Sequence, residues 1–169
     1  NIYIPREYLN GAVEGHKVVV EPLKEGNRVG KITKIIGHKN DVGVDILSFV
    51  YEYNFSPEFP KEVIDELDSI PQFLSSNDIQ EGLANGRKDL RDEVIFTIDG
   101  ADTKDIDDAI SIEKISDKEY ILGVHIADVS YYVKEGSKID EEAYFRGTSV
   151  YLVDRVIPML PHKLSNGIC

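Results

Sequence analysis

The stretch Thr97-Ile98-Asp99-Gly100-Ala101-Asp102-Thr103-Lys104-Asp105-Ile106-Asp107-Asp108-Ala109-Ile110 sets five aspartates within ten residues, between an apolar run at 94–98 and another at 109–115. Carboxylates this close repel one another, and partial burial raises their pKa values by several units unless a cation compensates. The cluster therefore calls for a divalent metal. Alternation in Val94-Ile95-Phe96-Thr97-Ile98 predicts a strand that projects Asp99 at its end, on the face of Ile95 and Thr97, and Gly100 then permits a sharp exit. If 105–108 are extended, Asp105 and Asp107 share a face while Asp108 takes the other; in a helical turn Asp105 and Asp108 are neighbours. In either case at least two carboxylates are expected to converge with Asp99. Ligation by oxygen alone, without Cys or His, favours a hard ion such as Mg²⁺, Mn²⁺ or Ca²⁺.

A solvated acidic loop is the ordinary alternative. A calcium-hand loop started at Asp105 fails, because Ala109 stands where an oxygen donor is needed and Ile110 where the turn needs glycine. An aspartyl-phosphate pattern of strand followed by D-x-D also fails, since Ala101 follows Asp99 by two. A sugar-nucleotide D-x-D fits Asp105 and Asp107, but three residues carry little information.

More specific are three longer blocks: TIDGADTKDIDDAIS at 97–111, LGVHIADVSYYV at 122–133 and AYFRGTSVYLVDRVIPMLPHKLSNGIC at 143–169. In content, order and spacing they resemble the opening third of the RNB catalytic domain of ribonucleases II and R. YLVDRVIPMLP and LSNGIC are closer to the bacterial ribonuclease R branch. The resemblance implies a hydrolase: a 3′-to-5′ exoribonuclease that takes the 3′ end of single-stranded RNA and releases nucleoside 5′-monophosphates, with Mg²⁺ as cofactor and Mn²⁺ as a possible substitute. Asp99, Asp105, Asp107 and Asp108 fall on the family's four site aspartates and Asp102 on a position that is not one of them. Asp107 is expected to be the catalytic carboxylate most tightly linked to turnover, and Tyr151 to stack on the nucleotide at the RNA 3′ end. Two metals held by carboxylates about 4 Å apart neutralise a scissile phosphate, activate water and help the leaving oxygen. The family also uses an aromatic residue, an arginine and further acidic residues located later in its catalytic domain, so the 169-residue piece is expected to be inactive alone and to leave sheet edges and apolar surface uncovered.

The first residue is Asn1 and the last matched block runs to Cys169, which reads as an excised piece of a larger protein. A hydrophobic content of 41% with mixed charge suits a globular fold. The net charge of -12 argues at first against a nucleic-acid partner. It is unevenly spread: residues 1–56 hold seven basic and seven acidic side chains, leaving 12 of the 19 basic and 24 of the 31 acidic ones for the part with the aspartate cluster. One cysteine forms no internal disulfide, and no apolar run approaches the roughly 18 residues that span a bilayer. A cytoplasmic protein without membrane attachment, monomeric by default, is the expectation.

Segments 2–4, 17–21, 28–36 and 42–53 are strand candidates, the middle two separated by the turn at 24–27. They suggest a small antiparallel barrel, and IYIPREYLNGAVEGHKVVV at 2–20 resembles the cold-shock, OB-type RNA-binding domain that precedes the family's catalytic domain. Such barrels have five strands, so one is missing from the count. Arg6, Lys17, Arg28, Lys31 and Lys34 are candidate phosphate contacts, with Tyr51, Tyr53 or Phe55 stacking on bases. Val63, Ile64, Leu67 and Ile70 have helical spacing after Pro60, and Asn77 with Gln80 makes a capping-box-like pair for a second helix ending near Gly86. The acidic face of this two-helix connector has no expected chemical role. Strands are predicted at 109–115 and 120–129, the second apolar enough to be covered on both faces, with His125 in a structural rather than a general-base role. Ser137 caps a helix to Arg146 that Gly147 ends. Residues 148–161 are strand-like.

The expected fold class is thus β-rich α+β. An OB-like barrel at 1–56 leads through a helical connector at 57–90 to the N-terminal part of an RNB domain at 91–169. The rival function is an OB-type RNA-binding module without catalysis, whose RNA affinity would ignore Mg²⁺.

Overall fold

The computed structural model describes residues 1–26, 28–101 and 103–169. In chain order it contains β1 (His16–Pro22), β2 (Gly30–His38), α1 (Val44–Glu52), α2 (Lys61–Leu67), α3 (Ser76–Ala84), β3 (Ile95–Phe96), β4 (Asp108–Lys114), β5 (Tyr120–Ile126), α4 (Lys138–Arg146), β6 (Val150–Tyr151) and β7 (Val156–Ile157). The β1–β2, β3–β4 and β4–β5 pairings are antiparallel, and the class is β-rich α+β as the sequence indicated. The chain divides into two units, Asn1–Glu58 with Tyr151–Ile157, and Phe59–Val150 with Pro158–Cys169.

In the first unit β1 and β2 form a ladder from His16 opposite His38 to Pro22 opposite Gly30, with register shifts after Lys17 and Val19. Such irregularities bend and twist a hairpin. Gly15 leads into β1 at φ +93°, a left-handed conformation that favours glycine, and the His38 ring packs against it, with Nε2 2.4 Å from where a Cβ would stand. Asn27, in the expected turn at 24–27, lies outside the described residues.

Two of the four strand candidates are corrected. Among the described residues, 2–4 make only a single bridge, Tyr3 with Val29, because Pro5 closes the segment and a 3-10 turn, Arg6–Tyr8, follows. Residues 42–53 are not a strand but contain α1. Their apolar residues fall on both faces of a strand, whereas a helix puts Val44, Leu47 and Val50 along one stripe. That stripe packs on β1 and β2, with Val50 only 2% exposed.

The second unit has the larger core, made by Val63, Leu67, Ile70, Ile139, Leu160 and Leu164. It is built where α2 packs on α4. The α4 N-terminus is capped twice: Ser137 Oγ accepts from Asp140 N at 3.2 Å, and the Glu66 carboxylate, from α2, accepts from Lys138 N at 2.6 Å and Ile139 N at 3.3 Å. The acidic face of α2 thus has a structural job, because an anion at a helix start meets unpaired N–H groups and the positive end of the dipole. Glu66→Ala should cost about 1 kcal/mol, read as a lower urea midpoint at unchanged slope; Glu66→Gln, which keeps an acceptor, should lose less. At the other end of α4, Arg146 is 8% exposed. It pairs with Glu142 at 2.8 Å, donates to Pro158 O at 3.1 Å and lies 3.8 Å from the Phe59 ring centroid.

The cap of α3 is Ser75 rather than Asn77. Its hydroxyl accepts from Asp78 N at 3.2 Å while Asp78 Oδ2 accepts from Ser75 N at 2.7 Å. The Ser75–Asp78 spacing supplies the reciprocal pair two residues earlier than Asn77 and Gln80.

Strands β3, β4 and β5 form a three-stranded sheet in that order. Residues 94–98 give only the two-residue β3, and β5 ends at Ile126, before a 3-10 turn at Val129–Tyr131. The expectation that this strand is covered on both faces fails. It is the sheet's edge, and Ile121 on one face with Leu122, Val124 and Ile126 on the other are all exposed. Among the described residues no helix is long and apolar enough to cross a membrane.

Candidate active site

Because β3 and β4 are antiparallel neighbours, with Phe96 opposite Ile110 and Ile95 opposite Ser111, the aspartate loop leaves and rejoins the sheet at one end. Asp99 lies just past β3, Asp105 and Asp107 lie in the irregular segment, and Asp108 is the first residue of β4. Asp99, Asp107 and Asp108 are exposed and Asp105 is half-buried; Asp102 lies outside the described residues.

Two ladders flank this end. The β4–β5 pairing, Asp108 opposite Ile126, extends one residue further through Ala127 N–H donating to Asp107 O at 2.8 Å. Continuing the β3–β4 register would set Asp99 opposite Asp107, yet that ladder stops at Phe96. Like charges placed opposite one another are destabilising, which opposes further zipping.

Among the described residues, no three His, Cys, Asp or Glu side chains gather into a group that could hold a metal ion. The expected convergence of two carboxylates on Asp99 is therefore not formed here. The donor set fits a hard divalent cation in kind, being carboxylate alone. It does not fit one in arrangement.

His125 is half-buried, and its Nε2 lies 2.9 Å from Ser111 Oγ across the β4–β5 ladder. Opposite Ser111 stands Gly123, where a Cβ would come within 2.4 Å of Ser111 Oγ and 2.8 Å of His125 Nε2. The contact depends on that missing side chain and gives His125 a cross-strand partner. Tyr151, in β6, is 66% exposed. Of the candidate phosphate contacts, Lys31 pairs with Glu21 at 3.1 Å and Lys34 pairs with Glu58 at 2.5 Å while lying 5.3 Å from the Tyr51 ring centroid. A phosphate at either lysine must compete with a carboxylate.

Sequence reasoning missed an ion pair beside the aspartate loop. Arg87 Nη2 bonds Asp128 Oδ2, and the guanidinium lies 4.8 Å from the Tyr131 ring centroid. Ser130 Oγ donates to Asp128 Oδ1 at 2.8 Å. The Arg87 hydrogen bond, then that of Ser130, holds the Asp128 carboxyl below its usual range. Nearby, a bidentate bond from Arg91 pulls Asp89 down to about 2. Burial, with the Asp128 and Asp107 charges behind it, pushes the Cys169 thiol up. Arg87, Asp128, Tyr131 and Cys169 border a cleft of about 610 Å³ that none of the four site aspartates lines.

Residues 87–169 match the RNB domain family and residues 1–60 the cold shock domain family. Ribonuclease R of Thermotoga maritima is 50% identical over 175 residues, which cover 100% of this chain and 24% of that protein. Ribonuclease R 1 of Lactococcus lactis subsp. lactis is 47% identical over 173 residues, 99% of this chain and 21% of that protein. Among solved structures, Mycoplasma genitalium RNase R in complex with double-stranded RNA superposes with a TM-score of 0.80 at 26% identity, over 98% of this chain and 29% of that one. The chain spans about a quarter of the length of the curated relatives it matches. Carrying a cold shock domain and then an RNB domain, and matched along its whole length by ribonucleases R, the chain belongs to the ribonuclease R family of RNB-domain proteins.

Proposed function

We propose that this chain is part of a 3′-to-5′ exoribonuclease that hydrolyses single-stranded RNA to nucleoside 5′-monophosphates. The observation that carries the reading is the placement of Asp99, Asp105, Asp107 and Asp108 at one end of the β3–β4–β5 sheet, within the segment that matches the RNB domain. In the full-length protein Asp99 and Asp108 would have to draw together, out of the arrangement seen here, to hold Mg²⁺ or Mn²⁺ directly, with Asp105 holding a second ion or its waters. The bound ions would supply charge neutralisation at a phosphate. Asp107 is assigned as the carboxylate on which turnover depends, and its main chain is already fixed to β5 through Ala127. Tyr151, exposed in β6, would stack on the terminal base. We assign 1–56 to a cold-shock RNA-binding domain, 57–90 to a helical connector and 91–169 to the start of the catalytic domain, in a cytoplasmic, monomeric protein.

The test uses the full-length protein and a 5′-labelled single-stranded RNA. In Mg²⁺ the label should shift through a ladder of fragments shortened from the 3′ end, with nucleoside 5′-monophosphates as released product, and chelation by EDTA should stop the reaction. Internal cuts from the first time point, or 3′-monophosphate products, would contradict the proposal. A binding module without catalysis would retain the RNA intact in Mg²⁺.

A further inference from the structure

We propose that Arg87 and Asp128 are positioning residues for turnover, acting on Asp107 through the backbone of Ala127. The inference rests on the reading of Asp107 as the turnover carboxylate. Its observations are a chain of contacts within the second unit. Arg87 is itself anchored, its N–H donating to Gly82 O at 3.0 Å at the end of α3. From there the guanidinium reaches Asp128 and lies over Tyr131. The Lys134 ammonium is on the same ring at 5.3 Å from its centroid. Asp128 is held on its other oxygen by Ser130, and its carbonyl accepts from Tyr131 N at 3.0 Å, so the turn after β5 is bound from both sides. The residue before Asp128 is Ala127, whose N–H is the last rung of the β4–β5 ladder and ends on Asp107 O at 2.8 Å. Asp107 thus has its main chain tied at a point where β3 gives no support, because the β3–β4 ladder ends at Phe96.

The side chains of Arg87 and Asp128 are 51% and 43% exposed. Exposed ion pairs contribute little to overall stability, so a purely structural role would leave almost no trace when the pair is broken. A positioning role makes a different demand. Small misplacements of a reacting group lower turnover far more than they lower stability.

The experiment compares Arg87→Gln, Arg87→Lys and the charge swap Arg87→Asp with Asp128→Arg in the full-length protein, reading turnover, RNA affinity, thermal midpoint and amide hydrogen exchange at Ala127. Arg87→Gln should lower turnover by about tenfold to a hundredfold, with RNA affinity and thermal midpoint essentially unchanged. Ala127 exchange should be about tenfold faster, as expected for a rung that opens locally. Arg87→Lys and the swap should recover part of both effects. Unchanged turnover in Arg87→Gln overturns the proposal, and so does slowed turnover with Ala127 exchange at the wild-type rate, which would place the action elsewhere. A lowered thermal midpoint that accounts for the lost turnover overturns it too. Asp107→Asn is measured alongside. If that variant is inactive while Arg87→Gln is unimpaired, only the positioning role falls; if Asp107→Asn still turns over, the assignment of Asp107 falls and this inference with it.

Discussion

Asp107→Asn in the full-length protein should abolish RNA hydrolysis while leaving RNA binding largely intact. Asn matches Asp in size and keeps one acceptor oxygen but removes the charge. The bond that orders Asp107 in this structure uses its main-chain carbonyl, which the substitution does not touch. Folding is therefore preserved and the change is confined to chemistry. Losing a carboxylate that acts as general base costs at least about a hundredfold in turnover. RNA affinity, measured by fluorescence anisotropy, should stay within about threefold, because phosphate contacts and stacking elsewhere dominate binding. A variant that kept more than a small fraction of the wild-type rate would remove Asp107 from the mechanism. The fall in rate must come without loss of the folded state, so circular dichroism of the same sample completes the measurement.

Ile139→Ala should produce a large stability loss in the second unit. Ile139 is 1% exposed and packs in the cluster with Val63, Leu67, Ile70, Leu160 and Leu164. It is also the second residue of α4, where Glu66 caps its N–H, so the cavity opens beside the junction of α2 and α4. Truncating a buried aliphatic residue costs about 2–5 kcal/mol, a large share of the roughly 5–15 kcal/mol that holds a domain folded. Ile64→Ala, on the exposed side of α2, is the control and should cost less than about 1 kcal/mol. Equal urea midpoints for the two variants would refute this account of the core.

What could be read in the sequence was local chemistry with a clear period. The α4 helix follows its signals at both ends, from the Ser137 cap to Gly147 at φ +71°. The hairpin of β4 and β5 turns at 116–119 as its polar residues require, with Ile115 N donating to Glu119 O at 2.9 Å. The α1 segment was misread because Val44, Ile46, Leu47, Phe49 and Val50 satisfy two periods at once, and the choice is made by packing on β1 and β2. The coverage of β5 is a tertiary property that an apolar composition does not determine. Within the candidate site, the aspartates were legible as a set of hard donors, while their failure to gather depends on how far β3 pairs with β4. The Arg87–Asp128 pair joins residues 41 positions apart, and no spacing rule selects that arginine for that aspartate.

The open face of β5 governs how copies of this polypeptide behave in bulk. With a formal charge of -12, molecules repel one another across a screening distance of about 30 Å at 0.01 M salt, which shrinks to about 3 Å at 1 M. Colloidal dispersion should therefore depend on dilute electrolyte: as salt rises, repulsion collapses before apolar adhesion does, and the greasy strand edge is where neighbours are expected to stick first.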